Sequence, residues 1–265
     1  RNLIANIEQY KAFMPGALHA GEEVIVTAIP LYHIFALMVN FLAYFSVGGE
    51  NWLVANPRDL GGLIDVLKAA RPTVFTGVNT LYAGLAAHPR LAEVDWSRLR
   101  LSVGGGSAVI SSTSERWKAV TGSFIREGYG LSETSPVVSF NPQFIDQFSG
   151  TTGLPMPSTD IKLLDENDHE VGIGQAGEIC VKGPQVMRGY WNRPDETEKV
   201  MLEGRVLRTG DIGYMDEDGY VFITGRLADL INRGGEKISP VEIDHAIEAL
   251  PGVREAGTFG VPHPT

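Results

Sequence analysis

The stretch Gly122-Ser123-Phe124-Ile125-Arg126-Glu127-Gly128-Tyr129-Gly130-Leu131-Ser132-Glu133-Thr134-Ser135-Pro136 decides how the rest of the chain is read. Residues 122–127 are strand-like. The octapeptide from Tyr129 to Pro136 then packs an aromatic ring, a glycine, hydroxyls and one acid onto the loop expected where that strand ends. In an open α/β sheet, strand ends are where ligands bind. An aromatic ring there can stack on a base, a Thr hydroxyl can reach a phosphate, and a carboxylate can hold Mg²⁺. Taken singly, the octapeptide serves equally well as a polar turn, so its neighbours have to separate the two readings.

Upstream, short apolar runs alternate with helical patterns. Residues 1–13 have amphipathic helical spacing, with Leu3, Ile4, Ile7 and Tyr10 on one face. Residues 24–29 predict a buried strand closed by Pro30, and residues 33–45, apolar nearly all round, a buried helix. Strands follow at 52–54, 73–75 and 100–103, with helices at 60–70, 79–87 and 115–120. This alternation predicts an α/β fold of βαβ units, a mostly parallel sheet with flanking helices. Downstream of Pro136 the pattern changes to short strands at 161–164, 177–182 and 220–224, punctuated by Gly and Pro, which predicts a small antiparallel sheet or partial barrel. One helix interrupts it at Pro194-Asp195-Glu196, where proline suits the first turn and the acids suit the positive dipole end. Ser239-Pro240-Val241-Glu242 reads as a capping box opening a helix to about Ala249. A strand over 252–261 would follow, making the start of a small α+β C-terminal domain.

Composition narrows the function. A length of 265 residues suffices for one large domain or two smaller ones. A net charge of −10 argues against a phosphate-backbone binder, since such domains usually carry a basic patch, but leaves a single nucleotide open. The longest apolar run, residues 29–47, is broken by Pro30, His33 and Asn40 and makes a poor membrane span. The opening Arg1-Asn2-Leu3-Ile4 lacks the pattern of a signal peptide. The one cysteine, Cys180, lies in the apolar run Glu178-Ile179-Cys180-Val181 and reads as a buried structural thiol, which fits a reducing, cytoplasmic setting. The six histidines show no metal-ligand spacing, so no zinc site is expected. The chain begins without Met and ends at Val261-Pro262-His263-Pro264-Thr265, just after a strand-like run; it reads as a piece of something longer.

Four further motifs bear on chemistry. Gly104-Gly105-Gly106 follows a strand and lets backbone approach a flat ligand closely. In Arg208-Thr209-Gly210-Asp211-Ile212-Gly213 an acid is held between glycines; it could accept bonds from two sugar hydroxyls, or be a solvated acid in a turn. Gly225-Arg226 places a fixed cation just before the final segment. Pro30-Leu31-Tyr32-His33-Ile34-Phe35 sets a histidine in apolar surroundings at the start of a buried helix. By contrast, Ser149-Gly150-Thr151-Thr152-Gly153-Leu154-Pro155 imitates a phosphate loop, but no lysine and no helical pattern follow it.

In this order the motifs resemble the adenylate-forming enzymes: acyl-CoA synthetases, peptide-synthetase adenylation domains and firefly-type luciferases. The resemblance rests on Pro30 to Phe35, Gly104 to Gly106, Tyr129 to Pro136, Gly177-Glu178-Ile179 through Gly189-Tyr190-Trp191, Thr209-Gly210-Asp211, and Gly225-Arg226 through Glu242. It spans nearly the whole chain. Thr76-Gly77-Val78-Asn79-Thr80-Leu81-Tyr82 and Lys182-Gly183-Pro184-Gln185-Val186-Met187 look most like bacterial long-chain fatty-acid CoA ligases. The resemblance implies a two-step reaction: ATP and a carboxylate give acyl-AMP and pyrophosphate, and the thiol of coenzyme A then displaces AMP. Carried over, Tyr129 would stack on adenine with Gly130 beside it, and Gly104, Gly105 and Gly106 would line the adenine pocket. Thr134 would touch the α-phosphate and Glu133 would bind Mg²⁺. Asp211 would accept the ribose hydroxyls, Arg226 would contact the ribose, and His33 would lie near the acyl carboxylate. Residues 1–226 would be part of the large N-terminal adenylation domain, and 227–265 the beginning of the small C-terminal one. The resemblance admits peripheral attachment to a membrane and a homodimer, with fatty acid, ATP or AMP and CoA as partners and no nucleic acid.

Two departures from the family pattern stand out. The lysine-containing phosphate loop and the lysine near the end of the small domain are absent, which implies negligible ligase activity for this chain alone. At the hinge, two residues after Arg226, Ala228 replaces the usual Asp or Lys. Alternatives remain. Ile231-Asn232-Arg233-Gly234-Gly235-Glu236-Lys237-Ile238-Ser239-Pro240 looks more like ligases for short or dicarboxylic acids. An amino-acid-activating domain would need an acid for the substrate ammonium, and none stands near His33 or residues 76–82. A non-catalytic nucleotide binder would be expected to lose Glu133, Asp211 or Arg226, yet all three are present. A redox Rossmann enzyme would carry Gly-x-Gly-x-x-Gly after its first strand, and none is found.

Overall fold

The structure, a computed structural model, describes residues 1–233, 236–248, 250, 252–253 and 256–261. The chain divides into two compact units: residues 1–159 with 183–190, and residues 160–182 with 191–265.

The first unit opens with helix α1 (Asn2–Phe13) and strand β1 (Val24–Thr27). A π-helical stretch, Ala36–Leu42, runs on as α2 (Ala43–Phe45), and β2 (Glu50–Leu53), α3 (Leu60–Ala70), β3 (Val74–Gly77) and α4 (Asn79–Ala86) follow. Then come β4 (Leu101–Gly104), α5 (Ser111–Thr121), β5 (Ile125–Gly130), β6 (Val137–Phe140) and β7 (Leu154–Pro155). These strands form one sheet in the order β2-β1-β3-β4-β5-β6-β7, parallel from β2 to β5 and antiparallel beyond.

The apolar runs at β1, β3 and β4 are buried along their whole length, as parallel strands covered on both faces require. Alternation divides them between two cores. Ile25, Val74, Leu101 and Val103 join α1 and the π-helical stretch on one face. Val24, Val26, Phe75 and Ile125 join α3, α4 and α5 on the other. Local signals fix the helix ends: the Asp59 carboxylate accepts the Gly62 amide (3.0 Å) to cap α3, and Gly122 ends α5 at φ +77°.

Three expectations need correction here. In α1, Ile7 and Tyr10 are buried as expected, but Ile4 is 66% exposed; the buried face is completed by Asn6 and Gln9. Asn6 exchanges two hydrogen bonds with the Val137 backbone, both 2.9 Å, so a side chain supplies the pairing a strand would give. The helix at residues 33–45 is not buried all round. Phe45 is exposed, and the buried Asn40 donates to Thr27 Oγ1 and Thr76 Oγ1. The third correction concerns α5, which starts at Ser111, four residues before the apolar pattern that predicts it.

The second unit contains β8 (Asp160–Leu164), β9 (Gly177–Lys182), α6 (Pro194–Val200), β10 (Met201–Leu202), β11 (Val206–Met215) and β12 (Val221–Arg226). The strands make the expected antiparallel sheet, centred on β11, which pairs β9 on one side and β10 and then β12 on the other. The long strand β11 is absent from the sequence expectation, because its glycines read as turns. The hairpin of β13 (Ile231–Arg233) and β14 (Glu236–Ile238) and helix α7 (Pro240–Glu248) follow. Ser239 donates its hydroxyl to the Thr224 carbonyl (3.0 Å). Gly234, Gly235, Ala249 and the Glu242 side chain of the expected box lie outside the described residues. The strand expected over 252–261 is not formed among the described residues there. No helix among the described residues is long and apolar enough to cross a membrane. Cys180 is buried in β9, and burial pushes its thiol up to about 12, as a structural role implies.

Candidate active site

Parallel pairing leaves the C-terminal ends of β1, β3, β4 and β5 on one edge of the first sheet, the edge at which α/β folds take ligands. After β1 comes His33. It is exposed, not enclosed in apolar surroundings as the sequence suggested, because the turn at residues 31–33 stands outside the core. Its Nδ1 accepts the Phe35 amide at 3.2 Å, which caps the helix and leaves Nε2 as the donor of the neutral ring. Gly104, Gly105 and Gly106 carry the chain off β4. A Cβ on Gly105 would stand 3.2 Å from the Phe35 ring, and one on Gly106, at φ +78°, 3.6 Å from Val78. Phe35, two residues after His33, thus lies beside Gly105, and Val78 lies beside Gly106.

Tyr129 and Gly130 are the last residues of β5, so the strand reaches three residues beyond the run at 122–127 that predicts it. The loop proper is 131–136. It contains a 3-10 turn at Ser132–Thr134, Ser135 at φ +65° and a cis Ser135–Pro136 peptide. Thr134 is buried; its hydroxyl donates to the Pro136 carbonyl and accepts the Leu131 amide (3.0 Å), closing the loop on itself. Glu133 is half-buried. Its Oε1 accepts the Tyr190 hydroxyl at 2.7 Å, and its main-chain carbonyl accepts the Met187 amide at 2.8 Å. No group of three or more His, Cys, Asp or Glu among the described residues could hold a metal. A single carboxylate does fit Mg²⁺, which binds through one or two carboxylates together with substrate phosphates.

One buried acid escaped the sequence reading. Glu127 lies in β5 beside Gly104 of β4; its Oε1 accepts the Val109 amide (2.9 Å), while its buried Oε2 has no partner. The only sequence signal was an acid inside a run otherwise committed to a buried strand. Burial raises its carboxyl from 4.5 to about 7, and the Val109 bond opposes that shift. A raised folded-state value means the native chain holds a proton that the unfolded chain releases. The associated stability is complete below about pH 4.5 and is lost as pH rises through about 7. Glu127→Gln, which imitates the protonated form, is therefore expected to exceed the wild type in stability by about 1–3 kcal/mol at pH 8 and to match it near pH 4.5. Thermal melts of both proteins across that range check this; parallel curves would refute it.

In the second unit, Asp211 and Arg226 are direct cross-strand partners, with Arg226 Nε 3.0 Å from Asp211 Oδ1. Asp211 is 4% exposed, so it is not the solvated acid of a turn. Thr209–Asp211 instead forms an irregularity within β11 where the register to β9 shifts. Thr209 Oγ1 donates to the Ile179 carbonyl (2.7 Å) and accepts the Asp211 amide (3.1 Å). The Gly210 amide donates to Glu178 Oε1 (3.1 Å), and Arg208 pairs with Glu178 Oε2 (2.6 Å). Burial raises the Glu178 carboxyl, the Gly210 bond lowers it, and nearby Asp211 raises it further. Ala228 is exposed in the 3-10 turn Leu227–Asp229.

Residues 1–191 match the AMP-binding enzyme family. The chain is 49% identical over 262 residues to a long-chain-fatty-acid–CoA ligase of Salmonella typhimurium, covering 99% of this chain and 46% of the relative. It is 35% identical over 246 residues to a feruloyl-CoA synthase of an Amycolatopsis species, covering 92% of this chain and 50% of that one. The crystal structure of ATP-bound MatB from Rhodopseudomonas palustris superposes with a TM-score of 0.89 at 34% identity, over 99% of this chain and 51% of that one. The chain spans about half the length of the curated relatives it matches.

Proposed function

Because the chain belongs to the AMP-binding enzyme family, we propose that the protein carrying it joins a long-chain fatty acid to coenzyme A through an acyl-adenylate. Residues 1–226 belong on this reading to the large adenylation domain and residues 227–265 open the small C-terminal one. Tyr129 stacks on adenine, with Gly130 and the glycines at 104–106 giving the base a bare backbone to lie against. Asp211, buried and already facing a cation, accepts the ribose hydroxyls, and Arg226 contacts the ribose. Glu133 would hold Mg²⁺, which would supply charge neutralisation at the phosphates. Thr134 supplies a hydroxyl to the α-phosphate after turning out of its bond to Pro136. His33 stands by the acyl carboxylate with Nε2–H as donor. The chemistry is an ordinary in-line displacement, so these groups act by binding, orienting and offsetting charge rather than by covalent participation.

The observation that carries this reading is the end of β5 and the loop after it, where Tyr129 and Glu133 stand at the C-terminal edge of the parallel strands, beside a neighbouring strand that ends at Gly104 and runs on into Gly105 and Gly106. The acyl preference is argued from the early half, whose segment Thr76 to Tyr82 resembles long-chain fatty-acid CoA ligases and which on this reading builds the acyl pocket around His33, Val78 and Gly104. A second reading, a ligase for short or dicarboxylic acids, rests on the stretch Ile231 to Pro240. Acyl-AMP formation across acids of two to eighteen carbons, measured on the protein carrying this chain, decides between them. The rate is expected to rise toward sixteen carbons; a maximum at four carbons or fewer would overturn the long-chain assignment.

A further inference from the structure

The motif Gly189-Tyr190-Trp191 carries no role in the reading above, yet its tyrosine touches the most important carboxylate of the first unit. We propose that Tyr190 is a positioning residue for Glu133, holding that carboxylate in the orientation in which it takes a divalent cation. The proposal rests on the reading of Glu133 as the protein ligand of that cation.

In sequence, residues 183–190 are flanked on both sides by segments of the second unit, but they pack as part of the first. Anchors along the segment hold it there. Asn2 Nδ2 donates to the carbonyls of Pro184 and Val186, both at 2.8 Å. Gln185, fully buried, donates to Thr159 Oγ1 at 2.7 Å and accepts from Gln9 at 3.1 Å. The Met187 amide then reaches the Glu133 carbonyl, and three residues on the Tyr190 hydroxyl reaches Glu133 Oε1 at 2.7 Å. The same segment therefore grips Glu133 twice, once by its backbone and once by its side chain.

Both grips have a physical consequence. Glu is among the side chains that lose most rotamer freedom on ordering, whereas a tyrosine on an anchored segment has little to lose. A phenol O–H to a carboxylate is a charge-assisted bond, short and directional. It fixes the carboxylate plane through Oε1 and orients Oε2 before the cation arrives. Part of the ordering is thereby completed in the free protein, and cation affinity rises accordingly. Removing the hydroxyl returns that cost to the binding step without touching the carboxylate charge.

The test uses the protein carrying this chain with Mn²⁺ as the probe, titrated by electron paramagnetic resonance in the presence of a non-hydrolysable ATP analogue. Tyr190→Phe removes one oxygen from a side chain 38% exposed and is expected to weaken Mn²⁺ three- to tenfold, with melting temperature unchanged. In pyrophosphate exchange the half-saturating Mg²⁺ should rise by a similar factor while turnover at saturating Mg²⁺ and the KM for fatty acid stay put. Glu133→Gln is expected to weaken Mn²⁺ further. If Tyr190→Phe binds Mn²⁺ like the wild type while Glu133→Gln does not, the positioning role is wrong and the metal reading stands. If Glu133→Gln leaves Mn²⁺ affinity unchanged, the metal reading fails and the positioning role fails with it.

Discussion

Replacing Glu133 by Gln is expected to slow acyl-adenylate formation by roughly 100-fold, about 3 kcal/mol of transition-state stabilisation. The substitution keeps the shape of the side chain and an oxygen that can still accept the Tyr190 hydroxyl. The main-chain bond from Met187 to the Glu133 carbonyl is untouched. The loop should therefore hold, and the melting temperature should stay within about a degree. What disappears is the negative charge, and an amide oxygen is a far poorer ligand for a hard cation than a carboxylate. Single-turnover formation of acyl-AMP at fixed Mg²⁺, alongside a thermal melt, separates the two quantities. A variant within a few-fold of the wild type would remove Glu133 from the chemistry.

Gly130→Ala should act on the same loop by a different route. A Cβ at residue 130 would stand 2.0 Å from the Pro136 carbonyl oxygen and 2.7 Å from its carbon. Both are backbone atoms, so no side chain can rotate away to make room. The Pro136 carbonyl also accepts the Leu131 amide and the Thr134 hydroxyl, and moving it breaks the bonds that close the loop. The cost is expected near the top of the range for overpacking, about 3 kcal/mol, which lowers the melting temperature by roughly 6–12 °C. Affinity for AMP should fall at least tenfold (about 1.4 kcal/mol), because Tyr129 and Glu133 flank the distorted turn. Ser132→Ala, exposed on the same loop, serves as the control and should change neither quantity. A Gly130→Ala protein that melts and binds AMP like the wild type would show that the turn is not needed in this form.

The parallel sheet was legible because its signals are local. Largely apolar runs at β1, β3 and β4, and glycines following β4, mark buried strands and the edge at which they end without knowledge of the partners. For the same reason the triple glycine, Tyr129 and Glu133 could be named from residue type and order. Where local signals conflict, the reading went astray. Gly210 and Gly213 read as turns, yet they sit in β11, where close pairing to β9 and β12 absorbs an irregular register. His33 read as enclosed because its neighbours are apolar, and the chain leaves it outside.

The sequence by itself determined the α/β class, the alternation of strands and helices up to β5 and which residues stand at the C-terminal ends of those strands. Propensity, periodicity and glycine placement act over a few residues, and those suffice for that much. Only the tertiary structure decided what holds these groups. Asn6 pairs with Val137 across 131 residues, and Tyr190 reaches Glu133 across 57. Glu127 keeps a buried oxygen without a partner. Contacts at such separations arise only once the sheet has brought distant segments together, and a carboxyl's charge state depends on the burial that follows.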